Sequence, residues 1–141
     1  MAVHVYPCPI RWSDMDVYGV VNNVSFLRLL EEARVDLIWR LGAQNGDAFF
    51  SGGSVVVSHA ISYRSPLVHQ HSPVDIHMWV SEIRAASVTI DYEIKDDETV
   101  YAVASTTMAP YSYEGRHLRR IDAREEAFLE RFFEDRRAIM V

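Results

Sequence analysis

The sequence predicts an α+β fold in which an antiparallel sheet is covered by one long helix. Three observations predict it: a strongly amphipathic helical run at residues 26–41, four segments between residues 55 and 108 enriched in β-branched and aromatic residues, and separators short enough to make neighbouring strands antiparallel. At 141 residues the chain is expected to form one domain over 1–141, a core at 1–110 followed by a helical tail at 111–141. Hydrophobic residues at 49% and charged residues at 24% are the ordinary balance of a chain that buries a core.

Residues 3–12 read as a first strand, and Pro7 and Pro9 place it at a sheet edge, since proline has no N–H to give to a ladder. From Phe26, the positions Phe26, Leu30, Ala33, Leu37 and Leu41 follow the spacing of one helix face, widened by Leu27, Leu29 and Ile38. Arg28 with Glu32, and Asp36 with Arg40, stand one turn apart on the polar side and are expected to pair. Asn22 or Asn23 is the expected N-cap and Gly42 the C-terminal stop. After a Gly- and Ser-rich loop at 45–54, strands are expected at 55–64, 74–83, 87–94 and 100–108, separated by "SPLVHQHSP", "RAA" and "KDDET". In the tail, Phe128, Leu129, Phe132 and Phe133 resume helical spacing behind "DARE", a capping box with aspartate at the cap. That aromatic stripe packs on the chain's own domain, on a partner subunit or over a substrate entrance, and the first is the expected use.

The net charge of −6 provides no basic field for a nucleic acid, so no nucleic acid partner is expected. Two local basic clusters, "RHLRR" at 116–120 and "RR" at 136–137, are either solvated surface or contacts for a small phosphorylated ligand. Cys8 is the single cysteine and can form no intramolecular disulfide, which suits a reducing compartment. The first residues have neither the basic nor the apolar region of a secretory signal, and no apolar run reaches the ~20 residues that span a bilayer. A cytoplasmic protein with no membrane insertion is expected.

The motifs of several chemistries are missing from the sequence. There is no G-x-S-x-G elbow, and Ser54 in "SGGSVVV" leads into a strand; H-E-x-x-H, the P-loop and G-x-G-x-x-G are also absent. His69 and His71 stand two apart, but at a turn and with only Asp75 near in sequence, so no metal site is expected; His59, within a strand, suits a plain hydrogen bond better than a site. What remains is "SDMDVYGVVNN". A helix opens with unpaired N–H groups and a partial positive charge of about +0.5, so a carbonyl held there is polarised as an oxyanion develops. The turn at 17–21 folds a preceding aspartate back towards that point. The aspartate either serves chemistry there or merely complements the dipole, worth about 0.3–1 kcal/mol, and spacing alone leaves both open.

The stretch "SDMDVYGVVNNVSFLRLLEEAR" resembles the signature of the hotdog-fold acyl-CoA thioesterases of the 4-hydroxybenzoyl-CoA thioesterase-like family: aspartate, a short glycine turn, Val-Asn-Asn, then a helix with Glu-x-Ala-Arg. The resemblance implies a sheet wrapped around the long helix and hydrolysis of a fatty or aromatic acyl-CoA to free acid and coenzyme A. It puts the catalytic carboxylate on Asp16, as nucleophile or general base, the carbonyl-polarising N–H on Asn23, and the permissive turn residue on Gly19, leaving Asp14 to the turn. It places the coenzyme near "RAASV", with Arg84, Ser87 and Val88 as substrate-binding residues and Arg64 as a further phosphate contact. It implies a homodimer or homotetramer with active sites at the subunit interface, and no cofactor or metal. This chain departs from the pattern at Val20, where many relatives carry histidine, and in "KDDET", which lacks the common glycine; Glu31 matches the family glutamate but could simply pair with Arg34. The rival reading is a non-catalytic acyl-CoA or acyl-carrier-protein binding module. Hotdog dehydratase chemistry needs a histidine after the turn, which "GVVNN" does not supply.

Overall fold

A computed structural model describes residues 3–41 and 53–139. The strands are β1 (His4–Cys8), β2 (Ser54–Tyr63), β3 (Val74–Ile83), β4 (Val88–Lys95), β5 (Val100–Ser112) and β6 (His117–Leu118); the helices are α1 (Asn23–Arg34) and α2 (Ala123–Glu130). Every strand pair is antiparallel, in the order β1-β3-β4-β5-β2 with β6 on β5. Pro7 accordingly sits in an edge strand, as its missing N–H requires.

The sheet curls around α1. Leu30, Ala33 and Leu37 are fully buried against Ile76, Met78, Ile90, Tyr92 and Ile94, the alternate residues of β3 and β4 that share one sheet face. Asn22 is the N-cap, its side chain accepting the Val24 N–H at 2.8 Å. The expected helix continues to Leu41, but over Val35–Leu41 it widens into a π-helix, leaving Trp39 45% exposed. Asp36 and Arg40 pair at 3.3 Å as expected. Arg28 does not pair with Glu32: its guanidinium is drawn to the buried carboxylate of Asp14, and Glu32 is left with Arg40 at 3.9 Å. Gly42 and residues 45–52 of the Gly- and Ser-rich loop lie outside the described residues.

Two expectations about connection change. "SPLVHQHSP" is not a hairpin between neighbours: it carries the chain from β2, at one edge, across the sheet to β3, next to the other. And β5 runs on to Ser112, past the expected 108, where it turns back to pair with β6. In "KDDET" the Asp96 side chain replaces the missing glycine by accepting the Glu98 and Thr99 N–H groups, both at 3.0 Å.

Helix α2 has the expected capping box between Asp122 and Glu125, and buries Phe128 and Leu129 on the same domain. Beyond it the chain bonds to Val80 of β3 through Phe132 O and Glu134 N–H, at 2.8 and 2.9 Å. It then crosses the outer sheet face. Fully buried Trp79 donates its indole N–H to Arg136 O at 2.9 Å, with the Arg136 guanidinium 3.6 Å over the ring. Asp91, also fully buried, accepts from Ser81 Oγ at 2.6 Å, Ala138 N–H at 2.6 Å and Arg137 Nε at 3.3 Å. The "RR" pair at 136–137 thus ties the tail down.

Candidate active site

The site is built from the loop that joins β1 to α1. Asp14 is 1% exposed; its carboxylate accepts the Arg11 N–H at 2.8 Å and is held by the Arg28 guanidinium, with Arg11 Nη2 at 3.4 Å. From this anchor the main chain closes on itself. Asn22 N–H donates to Asp14 O at 2.9 Å, Met15 bridges Val21, and Asp16 N–H donates to Val20 O at 2.9 Å. Gly19 closes the tip, its N–H on Asp16 O at 3.0 Å and its φ at +79°. A Cβ there would meet nothing within 4 Å, so the backbone angle, not crowding, calls for glycine. Asp16 Oδ1 accepts the Tyr18 N–H at 2.8 Å, which fixes the carboxylate on the turn.

This closed loop places Asp16 beside the start of α1. Asp16, Asn23 and Arg64 line one cleft of about 380 Å³ whose walls are Val20, Val21, Phe26, Pro66 and Leu67. The Val21 N–H on Leu67 O at 2.7 Å ties the wall to the loop. Asn23 is the first helical residue, so its N–H has no intrahelical acceptor, and among the described residues it makes no other hydrogen bond. Asp16, Asn23 and Arg64 are therefore brought to one cleft, with Gly19 on the turn that carries Asp16. Val20 adds an apolar wall where many relatives carry histidine.

Arg84, Ser87 and Val88 lie elsewhere. Their hairpin joins β3 to β4 at the sheet end marked by Ser54 and Pro110, whereas the cleft lies at the end marked by Tyr63 and Ala102. Arg84 pairs with Glu82 at 3.0 Å, its N–H bonds Ser87 O at 2.8 Å, and the Val88 side chain is in the core at 1% exposure. A larger opening of about 610 Å³ adjoins Arg84, but Glu126 and Glu130 line it too, a poor setting for a phosphate within one subunit.

Arg34 is 7% exposed and donates to the Tyr92 hydroxyl at 3.2 Å instead of pairing with Glu31. His59 shares a 2.9 Å hydrogen bond with Thr106 Oγ1, and its pKa is lowered by burial and then by the nearby Arg34 charge. His69 rests edge-on to the Trp12 ring, with centroids 5.9 Å apart. Burial pushes the Cys8 thiol up to about 12, which keeps it protonated and unreactive. Among the described residues no three His, Cys, Asp or Glu side chains are placed to hold a metal, and no helix is long and apolar enough to cross a membrane.

Sequence reasoning missed Tyr63. At the end of β2, its hydroxyl donates to Asn23 O at 2.9 Å and its ring stands edge-to-face with Phe26, centroids 5.3 Å apart. A tyrosine ending an alternating strand reads as one more strand residue; only the pairing of β2 with β5 puts it over the helix start.

A carboxylate on a turn and the first residue of a helix thus line one largely apolar cleft. The thioesterase-like superfamily profile matches residues 10–132, and the chain belongs to that superfamily. It is 27% identical over 99 residues to the Bacillus subtilis (strain 168) protein named "Putative acyl-CoA thioesterase YneP", covering 70% of this chain and 71% of that one. The fold is the hotdog. It is shared with the PA5185 protein of Pseudomonas aeruginosa (TM-score 0.80, 20% identity, 93% of this chain and 92% of that one). It is shared also with the DHNA-CoA thioesterase of Staphylococcus aureus (TM-score 0.77, 20% identity, 94% and 89%).

Proposed function

We propose that this protein hydrolyses an acyl-CoA thioester, fatty or aromatic, to the free acid and coenzyme A, with Asp16 as the catalytic carboxylate. The observation that carries this is that Asp16 and Asn23, whose N–H has no hydrogen-bond partner among the described residues, line the same cleft. A thioester carbonyl bound with its oxygen on Asn23 N–H exposes its carbon to residue 16. As general base, Asp16 takes a proton from water while the hydroxide attacks; the C–S bond breaks and the proton passes to the departing thiolate. As nucleophile, Asp16 forms a mixed anhydride with loss of the thiolate, and water then cleaves the anhydride. The apolar walls accept the acyl group, and Arg64 at the rim supplies a positive charge for the coenzyme phosphates. The names of the Bacillus and Staphylococcus proteins support a CoA thioester. No resident cofactor or metal enters either route, and a cytoplasmic location suits the substrate.

The protein acts as a homodimer or a pair of such dimers. Strand β2 is a ten-residue sheet edge, largely exposed, with Val56 44% and Val57 60% accessible, the kind of edge that pairs with another strand. Antiparallel pairing of two β2 edges about a two-fold axis sets the Ser54 end of one copy beside the Tyr63 end of the other. Arg84 and Ser87 of one subunit then face the neighbour's Asp16 cleft, which reconciles their place in the fold with a role in holding coenzyme.

The direct test is thiol release from a panel of acyl-CoA substrates by the purified protein and by Asp16→Asn. Loss of 100-fold or more in kcat is expected, and retention of most of the activity would refute the assignment. Val20, which makes the cleft less polar, favours one second reading, a binding module without turnover. Tight acyl-CoA binding with no thiol release by the unmodified protein would establish that module and exclude the enzyme.

A further inference from the structure

We infer that Tyr63 is a positioning residue that holds the first turn of α1 so that the Asn23 N–H points into the cleft. This rests on the thioesterase reading above and adds to it a residue that neither the turn motif nor the helix contains.

The peptide unit between Asn23 and Val24 is held at both ends. Its N–H, on Val24, is held by Asn22 Oδ1 at 2.8 Å, and its C=O, on Asn23, by the Tyr63 hydroxyl at 2.9 Å. The neighbouring Asn22 N–H is held by Asp14 O at 2.9 Å. The peptide after Asn23 is thus held at both ends and the Asn22 N–H before it is tied to Asp14 O, so the backbone on either side of the Asn23 N–H is fixed. A helix terminus otherwise frays, and a donor that wanders by about 1 Å loses on the order of 100-fold in rate.

The hydroxyl is itself delivered by a rigid element. Tyr63 is in register with Ala102 of β5, and the next two N–H groups, of Arg64 and Ser65, both donate to Tyr101 O, at 2.8 and 3.1 Å. The ring is braced edge-on by Phe26, one turn further along α1. Burial raises the phenol pKa above its ordinary value, so the group stays a donor at physiological pH. Its single proton is committed to Asn23 O, so Tyr63 acts through Asn23 and does not itself donate to the oxyanion.

Tyr63→Phe removes the hydroxyl and keeps the ring. It is expected to lower kcat about tenfold, to leave KM within twofold, and to speed hydrogen exchange of the Val24 amide at least tenfold. Tyr63→Leu, which also removes the brace on Phe26, is expected to raise KM in addition. Unchanged Val24 exchange in Tyr63→Phe would overturn the inference, as would an unchanged kcat or a change in KM alone. The exchange measurement needs no turnover, so it separates the two ideas: full activity in Asp16→Asn sinks the proposed reaction, and unaltered Val24 exchange sinks the role of Tyr63.

Discussion

Replacing Asp14 by asparagine separates the two aspartates of the turn, because the fold gives them opposite surroundings. Asp14 is 1% exposed and held by the Arg11 N–H and two guanidiniums. The amide retains an acceptor for the Arg11 N–H at 2.8 Å but loses the charge that Arg28 and Arg11 meet. Removing one partner of a buried ion pair costs about 3–5 kcal/mol when the other is stranded. Here the Arg28 and Arg11 side chains are 39% and 60% exposed and can be rehydrated, which brings the expected cost down to about 2 kcal/mol. For a chain of this length that lowers Tm by about 6–10 °C. Thermal unfolding followed by circular dichroism reads the shift, and thiol release on the same samples reads the activity. Asp14→Asn is expected to be markedly less stable and to retain measurable turnover, whereas Asp16→Asn keeps its Tm and loses turnover. An Asp14→Asn protein that melts within 1 °C of the parent yet has no activity would refute the reasoning, because Asp14 would then be doing the chemistry.

Three further outcomes are expected. Arg137→Ala leaves the fully buried Asp91 without its cation, so it should cost about 2–3 kcal/mol in urea unfolding, most of it recovered in the double variant with Asp91→Asn; a cost under 0.5 kcal/mol would contradict the tail's role. Cys8, buried and with its thiol pushed up to about 12, should not react with Ellman's reagent at pH 8 until the protein is unfolded, and fast labelling of the native protein would contradict its burial. His59 and His77 both have pKa values lowered from 6.5, burial being the first cause, so the unfolded chain binds protons that the folded one resists. Their contribution is complete above pH 6.5 and is lost as pH falls towards the folded values; Tm should drop between pH 7.5 and 5.5, less steeply in His59→Gln, and a rise in Tm over that range would contradict the sign.

The parts of the fold written locally were legible in the sequence. The stripe from Phe26 to Leu41, the Asn22 cap and the Asp122–Glu125 capping box each depend on residues within a turn or two of one another. The parts set by long-range pairing were not. Nothing in "SPLVHQHSP" says that β3 will lie at the far side of the sheet from β2, because β2 takes its place through pairing with β5, far along the chain. The i,i+4 reading of Arg28 with Glu32 failed because a buried carboxylate competes better for a guanidinium than an exposed one does. Asp91 within a strand gave no sign that the tail would cross the sheet to neutralise it. At the site, Asp16, Gly19 and Asn23 share one local turn and were found together, whereas Tyr63 reaches the same point only through the β2–β5 register. The family resemblance implies Arg84 and Ser87 near the substrate, whereas within one subunit they sit at the other end of the sheet from the cleft.

The proposed reaction requires a thioester to fit between the carboxylate of residue 16 and the first N–H of α1. A crystal structure of Asp16→Asn with an uncleaved acyl-CoA tests it most directly. The thioester carbonyl oxygen should lie about 2.7–3.1 Å from Asn23 N, with the residue 16 side chain facing the carbonyl carbon. A well-ordered acyl-CoA whose thioester lies away from both groups, for example in the opening beside Arg84 and Phe133 of its own subunit, would contradict it.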